Sequence, residues 1–149
     1  MKNRIRPFAQ NDFPILLAID QGCFAPEVAY GEWELAHFMS SPESRTLVAE
    51  ADDNIAGFIL VELRKKNSTA ILVTLDVLEP FRKQRIGSLL LEAAEQILRS
   101  ERIKQHSLQV DTGNIAAIHF YKHHGFQAID TLHNYYGNGA NAYVMVKNL

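Results

Sequence analysis

Thr74-Leu-Asp-Val-Leu-Glu-Pro-Phe-Arg-Lys-Gln-Arg-Ile-Gly-Ser88 carries an apolar strand into a basic turn and then into a helix. With Ala70-Ile-Leu-Val ahead of it, the stretch from Ala70 to Leu78 has the β-branched, apolar character of a strand, and Glu79-Pro80 ends it. Downstream, Ile86, Leu89, Leu90, Ala93, Ala94, Ile97 and Leu98 follow the rhythm of one buried helical stripe, with Glu92, Glu95, Gln96 and Arg99 off it. Arg82, Lys83 and Arg85 therefore crowd a helix N-terminus, which already carries roughly half a positive charge. Each cation there costs a few tenths of a kcal/mol unless an anion joins it. Gly87 permits close backbone approach and Ser88 adds a hydroxyl, so strand, basic turn and helix start form a phosphate-binding arrangement. The G-x-x-x-x-G-K-[ST] and G-x-G-x-x-G patterns are absent.

At 149 residues, 47% hydrophobic and 21% charged, the chain reads as a single domain over residues 1–149 that needs no staples to hold its core. A formal charge of −2 gives no support to a nucleic-acid or membrane-surface partner, so the local basic cluster should serve a small anion. One cysteine, Cys23, excludes an internal disulfide and fits a reducing compartment. No signal-peptide core follows Met1, and no apolar run approaches the ~20 residues of a spanning helix. The expectation is a soluble, cytoplasmic protein.

Elsewhere the pattern predicts a short strand at Ile5–Phe8, then a helix capped by Asn11-Asp12, carrying Phe13, Leu16, Leu17 and Ile19, and closed by Gly22. The rhythm lapses from Phe24 to Gly31, a candidate substrate loop, before a helix with Trp33, Leu35, Phe38 and Met39. Thr46–Glu50 and Ile55–Leu63 read as strands joined by a hairpin-type turn at Asp52-Asp53-Asn54. Ser107–Val110 is a further strand, and Asn114–His123 a helix stopped by Gly125. Phe126–Asp130 and Ala142–Val146 close the sheet around a polar loop containing Tyr135 and Tyr136. The class is α+β, or mixed α/β.

The quoted stretch, together with Asn114-Ile-Ala-Ala-Ile-His-Phe-Tyr-Lys-His-His-Gly-Phe126, resembles the GCN5-related N-acetyltransferase (GNAT) family, most closely its ribosomal-protein and protein N-terminal type. Arg82 and Gly87 occupy the first and last positions of the family's [QR]-x-x-G-x-[GA] motif. Asn114, Ala117, Phe120, Tyr121, Gly125 and Phe126 match its N-x-x-A-x-x-[FL]-Y-x-x-x-G-F element. The resemblance implies a mostly antiparallel sheet of about seven strands with a splayed fourth and fifth pair, about four helices, and acetyl-CoA as co-substrate. It implies that the backbone of Leu75, Asp76 and Val77 meets the pantetheine arm, that Arg82, Lys83, Gln84, Arg85, Ile86, Gly87 and Ser88 wrap the diphosphate, and that Asn114 lies near the cofactor. Tyr121 would protonate the departing thiolate, and Phe24, Tyr30, Gln109 and Tyr135 are the candidate acceptor contacts.

Two positions depart from the pattern. Arg85 stands where the family has a glycine, which costs of order 1–2 kcal/mol if the turn needs φ > 0 there. The positions where the family places a general base hold Gln109 and Ile71, neither able to take a proton; Asp111, Asp76, Glu32 and a water chain are substitutes. A missing base favours an acceptor that is already neutral. At pH 7 an α-amine of pKa ~7.8 is roughly one part in seven neutral and a lysine of pKa ~10.4 roughly one in 2,500, a difference of about 3.5 kcal/mol. The expected activity is therefore transfer of an acetyl group to a primary amine, foremost a protein or peptide N-terminus. A small-molecule amine acceptor and a non-catalytic acyl-CoA sensor are the alternatives, and the chain would act as a monomer or homodimer. His119, His123 and His124 read as surface residues, with no metal expected.

Overall fold

The computed structural model describes residues 3–149. Its elements are β1 (Asn3–Pro7), α1 (Phe13–Cys23), α2 (Glu32–Ser40), β2 (Ser44–Ala51), β3 (Asn54–Arg64), β4 (Thr69–Val77), α3 (Ile86–Ser100), β5 (Gln105–Asp111), α4 (Ile115–His123), β6 (Gln127–Leu132) and β7 (Ala142–Asn148). The seven strands form one mixed sheet in the order β1-β2-β3-β4-β5-β7-β6. Every pair is antiparallel except β4 with β5. α1 and α2 set Leu16, Ile19 and Leu35 on Val48, Phe58 and Leu60. α3 sets Ile86, Leu90, Leu91, Ala94 and Leu98 on the opposite face, with Ile118 and Tyr121 of α4 in the same core.

Asp52 and Asp53 both take positive φ, 50° and 70°, as a two-residue hairpin turn between β2 and β3 requires. Gly125, at φ 94°, stops α4. Three expectations are corrected. Asp12 stands at the start of α1 but does not cap it: its carboxylate accepts the Ala9 N–H at 2.8 Å and the Arg6 guanidinium at 2.8 and 2.9 Å, pinning β1 instead. Gly22 lies inside α1, which runs on to Cys23. Glu95, expected off the buried stripe of α3, is buried, bonded to His106 Nδ1 at 2.9 Å and Lys147 Nζ at 2.6 Å.

Two irregularities in β4 position the site. Parallel pairing with β5 holds only from Thr69–Ile71 to Gln105–Ser107, so the strands separate beyond Ile71. The register with β3 also jumps, Leu60 facing Thr74 while Val61 faces Leu72, which leaves Val73 as the extra residue of a bulge. Ala70, Leu72, Leu75 and Val77 consequently belong to the α3 side. Val73 and Thr74 both turn to the α1 side, where Val73 packs and the Thr74 hydroxyl lies 3.3 Å from Asp20 Oδ1 of α1.

Candidate functional site

The separation of β4 from β5 opens a cleft of about 1,020 Å³ that continues to the leading end of α3. Leu78 N–H donates to Ala56 O. With Asp76 facing Phe58 and Val77 facing Gly57, the alternation of an antiparallel ladder turns the backbone of Asp76 to β3 and that of Leu75 and Val77 to the open edge. A Cβ on Gly57 would lie 2.2 Å from the Asp76 carbonyl, so only glycine allows β3 this approach. Of the three residues expected to offer backbone groups, Leu75 and Val77 turn theirs to the open edge, where Arg82 Nε already takes the Val77 carbonyl, and Asp76 also lines the cleft.

At the α3 end, the first bond inside the helix runs from Leu89 N–H to Arg85 O, which leaves the N–H groups of Ile86, Gly87 and Ser88 free of helical partners. Lys83 and Arg85 take φ 67° and 64°, so the turn adopts the left-handed conformation without glycine. Arg85 is exposed, 3.9 Å from Glu92. Arg82 folds back: its Nε donates to Val77 O at 2.8 Å and its Nη2 lies 3.7 Å from Cys23 Sγ. Ile86 is buried. Gly87 sits where a Cβ would touch Phe120 at 3.4 Å. Ser88 Oγ lies 2.9 Å from His124 Nε2, and burial, then neighbouring His123, keeps that imidazole below its ordinary pKa. Gln84 does not line the cleft; its amide donates to Pro80 O at 3.3 Å, a correction to its expected place on the diphosphate.

Asn114, Tyr121, Gln109, Phe24, Tyr30 and Tyr135 all line this one cleft, as does Asp111. Asn114 also caps α4, its Oδ1 accepting the Ala117 N–H at 3.2 Å. Tyr121 is nearly buried, and burial foremost, with the charge of Asp76 after it, holds its phenol well above the usual range. It stays protonated. Tyr30 reaches Val73 O at 3.4 Å, and Tyr135 stands edge-on to Tyr136 with centroids 5.0 Å apart. Asp111 is already engaged, accepting the Gly113 N–H at 2.8 Å. Glu32 and Ile71 stand outside the lining.

Sequence reasoning missed Asp20 and Thr74 as parts of this region, read Cys23 as a packing residue, and set Tyr136 in the loop beside Tyr135 without naming it as a contact. Asp20 is wholly buried, accepts the Tyr30 N–H at 2.9 Å and is joined to Asp76 through the Thr74 hydroxyl. Its signal was position: four residues after Leu16, it falls on the buried stripe of α1. Tyr136, pushed up to about 12 chiefly by burial, lines the cleft beside Tyr135.

The outward backbone of Leu75, the outward N–H of Val77, free N–H groups at Ile86–Ser88 and adjacent cations fit a long ligand ending in a diphosphate. The family model described as acetyltransferase (GNAT) family matches residues 13–126. An N-alpha-acetyltransferase of Sulfurisphaera tokodaii is 30% identical over 118 residues, 72% of this chain and 71% of that protein. Ard1 from Thermoplasma volcanium superposes with a TM-score of 0.90 at 29% identity, covering 100% of this chain and 99% of that one. Arabidopsis thaliana Naa50, solved with the bisubstrate analogue CoA-Ac-MVNAL, gives 0.87 at 29% identity over 100% of both chains. Since the family match takes in everything from α1 to the Gly125-Phe126 corner, the chain belongs to the acetyltransferase (GNAT) family and is an acyltransferase with acetyl-CoA as its donor.

Proposed function

We propose that this N-acetyltransferase acts on the α-amine of protein or peptide N-termini, by direct attack of the amine on the thioester, with Tyr121 as the acid. The relatives named N-alpha-acetyltransferase and the peptide-bearing analogue bound to Naa50 support this acceptor class. The observation that carries it is the make-up of the cleft wall: among the described residues lining it there is no His and no Glu, one of its two carboxylates, Asp111, accepts the Gly113 N–H, and the other, Asp76, is buried with Thr74 on one of its oxygens. Such a wall suits an amine that is substantially neutral before it binds, as an α-amine is and a lysine is not.

The residues divide the work along the cleft. Leu75 and Val77 present backbone groups to the pantetheine arm, while Lys83, Arg85 and the free N–H groups of Ile86, Gly87 and Ser88 hold the diphosphate. Arg82 braces the Val77 carbonyl from outside. When bound, acetyl-CoA supplies an acyl carbon already activated by a thiolate leaving group. Phe24, Tyr30, Tyr135 and Tyr136 wall the amine's approach and exclude water, and Tyr121 holds a proton at its hydroxyl for the departing sulfur.

Mass spectrometry of paired peptides, one with a free N-terminus and blocked lysine and one with the reverse, tests the acceptor class. Acetyl transfer is expected on the first and at least 100-fold slower on the second. Faster transfer to lysine would overturn the reading. Arg85→Gly separates strain from charge in the turn: relief of the left-handed conformation is expected to raise stability by about 1 kcal/mol, or about 3 °C in melting temperature. The same variant is expected to lose about tenfold in acetyl-CoA affinity at low salt and to bind an acetyl-pantetheine fragment as before. Thermal melts and calorimetry on both ligands check the two effects.

A further inference from the structure

Asp20 and Asp76, at 0% and 1% exposure, are carboxylates on two elements that face one another across the α1 side of β4. Thr74 bridges them, its hydroxyl lying 3.3 Å from Asp20 Oδ1 and in hydrogen-bond contact with Asp76 Oδ1. The second oxygen of Asp20 is taken by the Tyr30 N–H at 2.9 Å. The second oxygen of Asp76 is buried and meets no N–H or hydroxyl donor among the described residues, Asp20 being the carboxyl hydrogen-bonded to Asp76, although Asp76 belongs to the wall of the cleft. A buried acceptor oxygen that meets no fixed donor is costly to keep, so its retention calls for a use.

The cleft also lacks another base. Gln109 cannot take a proton, Asp111 is held in the turn to Gly113, and Tyr121 and Tyr136 are poor acceptors because burial keeps their phenols protonated. We propose that the Asp20–Asp76 pair is the proton acceptor for the incoming amine, with Asp76 Oδ2 receiving the proton and Asp20 and Thr74 holding the rest of the pair in place. This rests on the N-terminal acetyltransferase reading above. In the step, an N–H bond of the acceptor's ammonium breaks, its electron pair stays on nitrogen, and an O–H bond forms on Asp76, directly or through one water; the proton later leaves to solvent. The neutral amine is then free to attack.

Geometry accounts for the pair's basicity. Burial first, then the hydrogen bond and charge of Asp20, lift Asp76 well above the carboxylate range, opposed by the Thr74 hydroxyl and the Arg82 charge. The groups facing it are Asp20 and Cys23 from α1, Arg82 from the turn after β4, and Tyr121 from α4, with Tyr136 beyond Tyr121. Two carboxylates sharing one proton form a stronger base, when that proton is lost, than either would be alone. The gap to an α-ammonium near pKa ~7.8 narrows, while the gap to a lysine near ~10.4 stays wide.

Carbon-13 NMR of aspartate carboxyls gives a readout independent of turnover: the wild-type protein is expected to show the pair releasing its shared proton well above the ordinary carboxylate range, and Asp20→Asn to move that release to lower pH. The acid limb of kcat, measured at saturating acetyl-CoA and peptide, is expected to move by the same amount in Asp20→Asn. Asp76→Asn is expected to lower kcat about 100-fold on an N-terminal peptide, with acetyl-CoA affinity within about twofold, and less than tenfold on an aminooxyacetyl peptide whose terminal nitrogen is already a neutral NH2 group at pH 7. A wild-type rate and pH profile in Asp76→Asn, or an acid limb unmoved by Asp20→Asn, overturns the proposal. Should Asp76→Asn fail to fold, the wild-type and Asp20→Asn profiles decide alone. Peptide N-termini left unacetylated by the wild-type protein would instead overturn the acceptor assignment, whatever the carboxyl titration shows.

Discussion

Replacement of Tyr121 by Phe is expected to lower kcat by about two to three orders of magnitude while leaving acetyl-CoA affinity and the fold intact. The ring is a packing element in its own right: it meets Phe120 edge-on with centroids 5.4 Å apart and Phe126 with centroids 5.6 Å apart, both contacts that a phenylalanine keeps. Only the hydroxyl is lost. That hydroxyl lies in a cleft where burial and the nearby Asp76 and Tyr136 hold the proton on it. A raised phenol is present in its acidic form at every pH at which the amine is neutral, so the rate should show no alkaline fall from loss of the acid below about pH 10. A thiol has a pKa near 8.5, so a thiolate leaves at a finite rate unaided and the residual activity is not zero. Steady-state kinetics with calorimetry of acetyl-CoA and a thermal melt make the measurement. A kcat within threefold of wild type would remove Tyr121 from the proton path.

Much of the frame was legible because it rests on short-range rules. Asp52-Asp53 supplied the hairpin, Gly125 the end of α4, and the stripe from Ile86 to Leu98 the helix that covers the sheet. The basic turn was legible for a different reason: three cations at a helix N-terminus contradict the local field, and such a contradiction points to a ligand. The bulge at Val73 was not legible. An apolar run such as Ala70–Leu78 reads the same with or without an extra residue, yet the bulge decides that Thr74 and Asp76 turn toward α1 rather than into the α3 core. Gln84 was placed by its neighbours in a motif, whereas its conformation sends the amide to Pro80. Glu95 was hidden because a carboxylate on a helix reads as surface until its partners are known, and His106 and Lys147 come from strands 11 and 52 residues further along.

Those partners make Lys147→Met the largest expected stability loss outside the cleft. Glu95 is 3% exposed and its two oxygens are divided between His106 Nδ1 and Lys147 Nζ, the latter also 5.8 Å above the Phe126 ring. Methionine keeps most of the aliphatic stem that packs on Gly125, so the change removes the charge and leaves the carboxylate buried without its cation. Breaking a buried pair on one side costs about 3–5 kcal/mol, here a melting temperature lower by about 10 °C. The pH dependence separates charge from packing. Burial alone would raise the Glu95 pKa, but the hydrogen bonds from His106 and Lys147 outweigh it and hold the group below its unfolded value. Its contribution is therefore complete above about pH 4.5 and fades as the pH falls through the lower, folded value. In Lys147→Met the burial acts with one fewer opponent and the folded pKa rises, so protonation relieves the variant first. Urea midpoints should show the deficit greatest at pH 7 and much reduced at pH 4, and in a Glu95→Gln background the same substitution should cost less than about 1 kcal/mol. A deficit unchanged between the two pH values would assign Lys147 to packing alone.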